Sequence, residues 1–193
     1  MNEGLQLLKI ALNAIAPIGD DDWKAFSNVW DTCSAGRKEQ LTSAGDVEKH
    51  LYFVLDGVQR VYYFDEQGRE ATIVFTYAPS FGGVVDSFLL QQPSRYFYET
   101  LTASTFLRAS FADLEVVLES RPILAILLKG TAGVLSGVLE RLVELQCFSS
   151  EEKFRSLLRR SPHILNLVPH KYLANYIGID PSNFSKFINK IKI

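Results

Sequence analysis

Ser182, Asn183, Ser185, Lys186, Asn189 and Lys190 crowd hydroxyl, carboxamide and ammonium groups into one short segment. At helical spacing they fall on one side, and Phe184 and Phe187 fall on the other. A carboxamide gives and takes a hydrogen bond at an adenine edge. An ammonium donates to guanine acceptors, and all three group types reach phosphate oxygens. Lys171 lies a short distance upstream and is a further cation suited to phosphate. This chemistry recognises a polyanion and breaks no bonds.

Residue sets that would do catalysis are missing from the pattern. Cys33 and Cys147 form no CxxC and no zinc-finger spacing; one structural disulfide is conceivable, and two reduced, buried thiols are the favoured reading. Of His50, His163 and His170, only His50 falls among the candidate strands, too few ligands for a metal-dependent barrel enzyme. No Gly-rich phosphate loop, Gly-x-Ser-x-Gly elbow or His-Glu-x-x-His appears. The expectation is a protein that is not an enzyme and carries no cofactor and no metal. Charge points the same way as the C-terminal donors. Residues 151–193 carry eight Lys/Arg and three Asp/Glu, against twelve and nineteen in the rest of the chain. A basic end on an acidic body suits nucleic acid or another polyanion.

The elements that must position these groups can be read in turn. Pro169 to Ile177 reads as one helix, and Gly178 supplies the left-handed backbone of a sharp turn. Asp180-Pro181 then reads as an N-cap with proline opening a second helix, which runs to about Ile191. Leu173, Ile177, Ile179, Phe184 and Phe187 form a small core, and Ala174 lets the helices cross closely. This is a helix-turn-helix pattern.

Upstream, residues 3–16 read as a short amphipathic helix, and Asp20-Asp21-Asp22 opens a second. Between about Cys33 and Phe111, short β-branched and aromatic runs alternate with turn residues. Candidate strands are 51–55, 58–64, 71–77, 96–101 and 105–111, a spacing that predicts a β-sandwich or jelly-roll barrel. From Ala112 the texture is helical. Leu124, Leu128, Thr131, Leu135, Val138, Leu142 and Leu145 step by alternating fours and threes, a heptad seam that favours a partner helix over the chain's own β-domain. Pro122 to Leu139 is apolar, but at about 18 residues it is marginal for a bilayer, and Lys129 lies near its centre. Met1 to Pro17 lacks a basic start and carries Glu3, so no signal peptide and a cytoplasmic location are expected.

Taken in order, Leu51 to Gly57, the hairpin from Arg60 to Phe75, Phe81-Gly82-Gly83, the long helix and the helix-turn-helix resemble the cyclic-AMP receptor/fumarate-nitrate regulator (Crp/Fnr) family of transcription regulators. The resemblance implies an α+β chain with a double-stranded β-helix (jelly-roll) domain of the cyclic-nucleotide-binding type over 1–115. A dimerisation helix over 116–148 and a DNA-binding helix-turn-helix over 149–193 would follow. It implies a homodimer joined at Leu128, Leu135, Val138, Leu142 and Leu145, double-stranded DNA with an inverted repeat, a small-molecule effector, and RNA polymerase as a further partner. The effector pocket would be lined by Phe81, Gly82, Gly83, Val84, Ser94 and Arg95.

The chain departs from the family pattern at that pocket. Nucleotide-binding members place a ribose-binding Glu where Val84 stands, and an Arg ahead of Ser or Thr, whereas here Ser94 precedes Arg95. Valine accepts no hydrogen bond, so an effector other than cyclic AMP is expected. The chain stops at Ile193, just past the recognition helix, so no wing is evident. The rival reading is a ligand-binding or protein-interaction module whose helix-turn-helix has lost its affinity for DNA.

Overall fold

The computed structural model describes residues 3–190. The expected helix end at Ile191, like Met1, lies outside the described residues. Glu3–Ile15 forms α1 and Asp20–Ser27 forms α2. Leu8 and Leu12, one turn apart, are buried, whereas Ile10 is 67% exposed. The three aspartates sit in the first turn of α2, where carboxylates complement the helix dipole. Trp23 and Phe26 are the face that α2 buries.

The β-domain follows as β1 (Asp31–Ala35), β2 (Gln40–Thr42), β3 (His50–Asp56), β4 (Val58–Phe64), β5 (Glu70–Tyr77), β6 (Ser80–Gly82), α3 (Val85–Leu90), β7 (Phe97–Thr100) and β8 (Ser104–Ser110). Among the described residues the strands form two four-stranded antiparallel sheets, ordered β1-β8-β3-β6 and β2-β7-β4-β5. Strand periodicity of two sorts the side chains. Tyr52, Val54, Val61, Tyr98 and Phe106 meet between the sheets. Phe53 and Leu107 point the other way, into a second cluster with Leu8, Leu12, Trp23 and Phe26. The expected strands 51–55, 58–64 and 71–77 are β3, β4 and β5 to within one residue at each end.

Phe111–Val117 forms α4, and Arg121–Cys147 forms α5, a helix of 27 residues. The expected span 116–148 therefore starts inside α4. The chain breaks there because Ser120 caps α5, accepting the Ile123 amide, and Pro122 sits in its first turn. Ile123 and Ile126 anchor the start of α5 in the cluster that holds α1 and α2. Residues 131–140 are all exposed, and Arg141 and Glu144 are buried again further along. Every leucine and valine of the heptad seam is exposed, and Val134, Leu139 and Val143 widen the apolar face. Among the described residues, α5 is the one helix long and apolar enough to cross a membrane.

Ser150–Arg160, Ile164–Leu167, His170–Tyr176 and Pro181–Lys190 form α6, α7, α8 and α9. A capping box between Ser149 and Glu152 starts α6. The core of this unit, with Phe154, Leu157, Leu173, Ile177 and Phe184, runs on without a gap onto Val58, Phe75 and Leu101 of the β-domain. The C-terminal helices thus rest on the outside of the β4–β5 sheet.

Candidate functional site

The local geometry of α8 and α9 follows from three residues. Pro169 caps α8, one position before the helix begins. Gly178 has φ +62 and its amide donates to Asn175, so the backbone reverses where a side chain would be strained. Its position also faces Leu145 of α5, whose methyl group would stand 3.2 Å from a Cβ placed there. The Asp180 carboxylate accepts the Ser182 amide at 2.7 Å and so caps α9. The Ser182 hydroxyl and then its amide, with the charge of Lys186, hold the Asp180 carboxyl below the usual carboxylate range.

Phe184 locks α9 against α6, its ring lying 5.1 Å from that of Phe154 at 80°. Leu173, Ala174 and Ile177 are fully buried beneath the crossing. Ser182, Ser185, Lys186, Asn189 and Lys190 are exposed on the outer face, and Asn183 is half-buried beside them. The Ser185 hydroxyl donates back to the Pro181 carbonyl at 3.0 Å. Lys171 is exposed on α8, 4.6 Å from the centre of the Tyr172 ring. It lines a cavity of about 360 Å³ with Glu70, Tyr172, Asn175, Ile179 and Pro181. The structure thus brings Lys171 and the start of α9 to one opening.

A polar seam fixes α8 to the β-domain. Arg60 is 3% exposed and pairs with Glu99 and Glu70, each at 2.6 Å. Its guanidinium lies 4.1 Å from the ring centres of both Tyr62 and Tyr172. Lys38 bridges Glu99 at 3.2 Å and the Tyr172 hydroxyl at 2.8 Å. Burial would raise the Tyr172 hydroxyl, but the hydrogen bond and charge of Lys38 outweigh it and pull the pKa below the usual tyrosine value. Asn175 accepts the Thr72 amide at 2.6 Å and donates to the Glu70 carbonyl at 2.7 Å.

From the other side, α5 grips the same unit. Arg141 donates to the Tyr176 carbonyl and stacks 4.0 Å from its ring centre. Glu144 accepts from Ser156, Arg160 and Arg141. Burial would raise the Glu144 carboxyl; those hydrogen bonds and the charge of Arg160 outweigh it and lower its pKa.

The expected effector pocket is only partly assembled. Gly82, Gly83 and Val84 form a tight turn after β6, with Gly83 at φ +110. Phe81, expected in the pocket, does not line the barrel. It stands opposite Phe53 in the β3–β6 pairing, so it shares that residue's outward face and packs on Phe53 and Trp30. Ser94 is spent within its own loop, bonding the Tyr96 carbonyl at 2.7 Å and the Tyr96 amide at 2.9 Å. Arg95 is exposed.

Inside the turn, Glu48, which sequence reasoning missed, and Tyr98, one of an aromatic run suited to an apolar ligand or a filled core, meet the backbone donors. Glu48, 2% exposed, accepts the Val84 amide at 3.2 Å and the Thr42 hydroxyl at 2.5 Å through one oxygen. Its other oxygen accepts the His50 amide at 3.3 Å. Burial pushes its carboxyl up, and these donors, with the Lys49 amide, work against that rise. Tyr98 is fully buried, its hydroxyl 3.2 Å from Thr76 and facing the Gly83 amide. A methyl group on Gly82 would collide with that hydroxyl.

Comparison with known proteins adds to this geometry. Residues 33–121 match the family model of the cyclic nucleotide-binding domain. Comparison with curated protein sequences gives no match. Among solved structures, FixK2 from Bradyrhizobium japonicum is similar with a TM-score of 0.76 at 16% identity, over 84% of each chain. The c-di-GMP responsive global regulator CLP of Xanthomonas campestris follows with a TM-score of 0.63 at 15% identity, over 89% of this chain and 91% of that one. The catabolite activator protein of Thermus thermophilus has a TM-score of 0.57 at 17% identity, over 91% of this chain and 84% of that one. The chain has the fold of the Crp/Fnr family, with residues 33–121 as its cyclic nucleotide-binding domain.

Proposed function

We propose that this chain is a homodimeric, DNA-binding transcription regulator of the Crp/Fnr type that reads an inverted repeat and does not take cyclic AMP. The observation that carries the reading is the outer face of α9, where serine, asparagine and lysine side chains are exposed on a helix locked from behind by Phe184. A second helix held so after a tight turn is the form that enters a major groove. In this reading Ser182, Asn183 and Lys186 lie nearest the base edges, and Ser185 and Asn189 flank them. Lys171 and Lys190 meet phosphates.

Two-fold pairing of α5 through Leu128, Leu135, Val138, Leu142 and Leu145 presents two copies of α9 to half-sites about one turn of DNA apart. The exposure of all five residues supports a partner there, and Leu145 has a second neighbour in the turn at Gly178. CLP, one of the similar structures, is a regulator of virulence gene expression, which supports the same role for this architecture. The cytoplasm is the location of such a regulator, with RNA polymerase as its further partner. Val84 offers no carboxylate to a ribose, and Arg95 stands in solvent, so cyclic AMP lacks both of its anchors.

Selection from randomised duplexes, followed by anisotropy across a salt series, tests the reading. An enriched inverted repeat is expected, with log K falling linearly against log salt as counterions are released. Failure to bind any duplex at low salt would overturn it.

A further inference from the structure

Two successive backbone amides after a positive-φ glycine make a concave seat for an anion. Gly83 and Val84 form such a seat, inside a domain whose family is described by cyclic-nucleotide binding. The seat is not empty. The Val84 amide donates to Glu48, and the Gly83 amide faces the Tyr98 hydroxyl. The groups that bond the Glu48 carboxylate are donors: the Thr42 hydroxyl and the backbone amides of Lys49, His50 and Val84. That set suits the ionised form. The Glu48 amide is held in turn by the Ser87 hydroxyl of α3 at 3.0 Å, so the acid is fixed from both ends of the turn. The volume beside it is filled by aromatic rings, Tyr52 lying 5.6 Å from Tyr98 and 5.3 Å from Phe106.

We propose that the β-domain supplies its own anion, the Glu48 carboxylate occupying the amide seat at Gly83–Val84 while Tyr98 fills the space beside it, which closes the barrel to phosphate-bearing ligands. This rests on the regulator reading above and deepens it, because the sensor then holds one arrangement without a small molecule. Cyclic nucleotides do not alter DNA affinity in such a protein.

The test uses the full chain. Calorimetry of the wild type with cyclic AMP and cyclic GMP is expected to show no saturable heat; saturable binding of either overturns the proposal. Glu48→Gln keeps the volume and removes the charge. In amide NMR the Val84 resonance is expected to move, with exchange at least tenfold faster, and an unmoved Val84 amide overturns the assignment. Glu48→Ala empties the seat, so inorganic phosphate or formate is expected to raise its Tm and leave the wild type unchanged. A rise of equal size in both proteins counts against the seat, and the Gln variant decides the matter where the Ala variant does not fold. Anisotropy with DNA on the same preparations separates the two readings, since failure there removes the regulator and leaves the occupied seat standing.

Discussion

The Tyr172 hydroxyl, on the first helix of the helix-turn-helix, accepts a 2.8 Å hydrogen bond from Lys38, which lies between β1 and β2 of the β-domain. Residues 134 positions apart are thereby tied across the seam. Tyr172→Phe removes this bond and leaves the stacking on Arg60, so a loss of about 1 kcal/mol is expected. Tyr172→Ala removes the ring as well and should cost about 3–5 kcal/mol. Urea unfolding with proteolysis of the α7–α8 region reads both; equal stability of all three proteins would show that the contact holds nothing.

The apolar face of α5 gives a prediction about assembly. Leu135 and Leu142 are 59% and 50% exposed in the protomer, so charge there should not disturb its core. Leu135→Glu combined with Leu142→Glu should yield a folded monomer by light scattering and circular dichroism, with tight DNA binding lost. A double variant that stays dimeric would remove α5 from the interface.

Acid should loosen the C-terminal unit. The pKa of Glu144 is depressed in the fold, so its contribution is fully present above the ordinary carboxylate range. It is lost as pH falls through the lowered folded value. Glu144→Gln should lower stability at neutral pH by about 3–5 kcal/mol, since Arg141 is left buried without its charge partner, and should narrow the gap to wild type in acid. Unfolding midpoints measured across that range check the sign; a gap that widens on acidification would contradict it.

Two lysines should separate base reading from phosphate contact. Lys186→Ala should cost about 1–3 kcal/mol and relax the preference at one position in each half-site. Lys171→Ala should weaken all duplexes alike and make the salt slope shallower by about one. Base preference unchanged in Lys186→Ala would take that residue out of the groove.

What could be read from sequence was local. Gly178, Asp180 and Pro181 announce the turn and cap because each satisfies backbone needs within a few residues. The strands were legible because alternation and turn dipeptides sit side by side. The occupant of the Gly83–Val84 seat was not legible, because Glu48 lies 36 positions from the amide it accepts and nothing near it marks a barrel interior. Phe81 was misplaced for a related reason. Its face is set by pairing with Phe53, and register between distant strands is a tertiary fact. The third wall of the helix-turn-helix core, Phe154 on α6, was missed because it lies outside the 169–191 segment whose turn and cap mark the motif.

Strand β5 is the outer strand of its sheet, and the free side of such a strand is a template for another chain. Asn175 sits on that side as a dummy rung, taking one amide and giving to one carbonyl as a neighbouring strand would. Helix α8 therefore also serves as a guard against aggregation. A variant that releases α8 from the sheet would expose this edge, with Ile73 and Val74 already open to solvent beside it. Such a protein would be expected to be lost through self-association and fibre-like deposits as well as through weakened DNA binding.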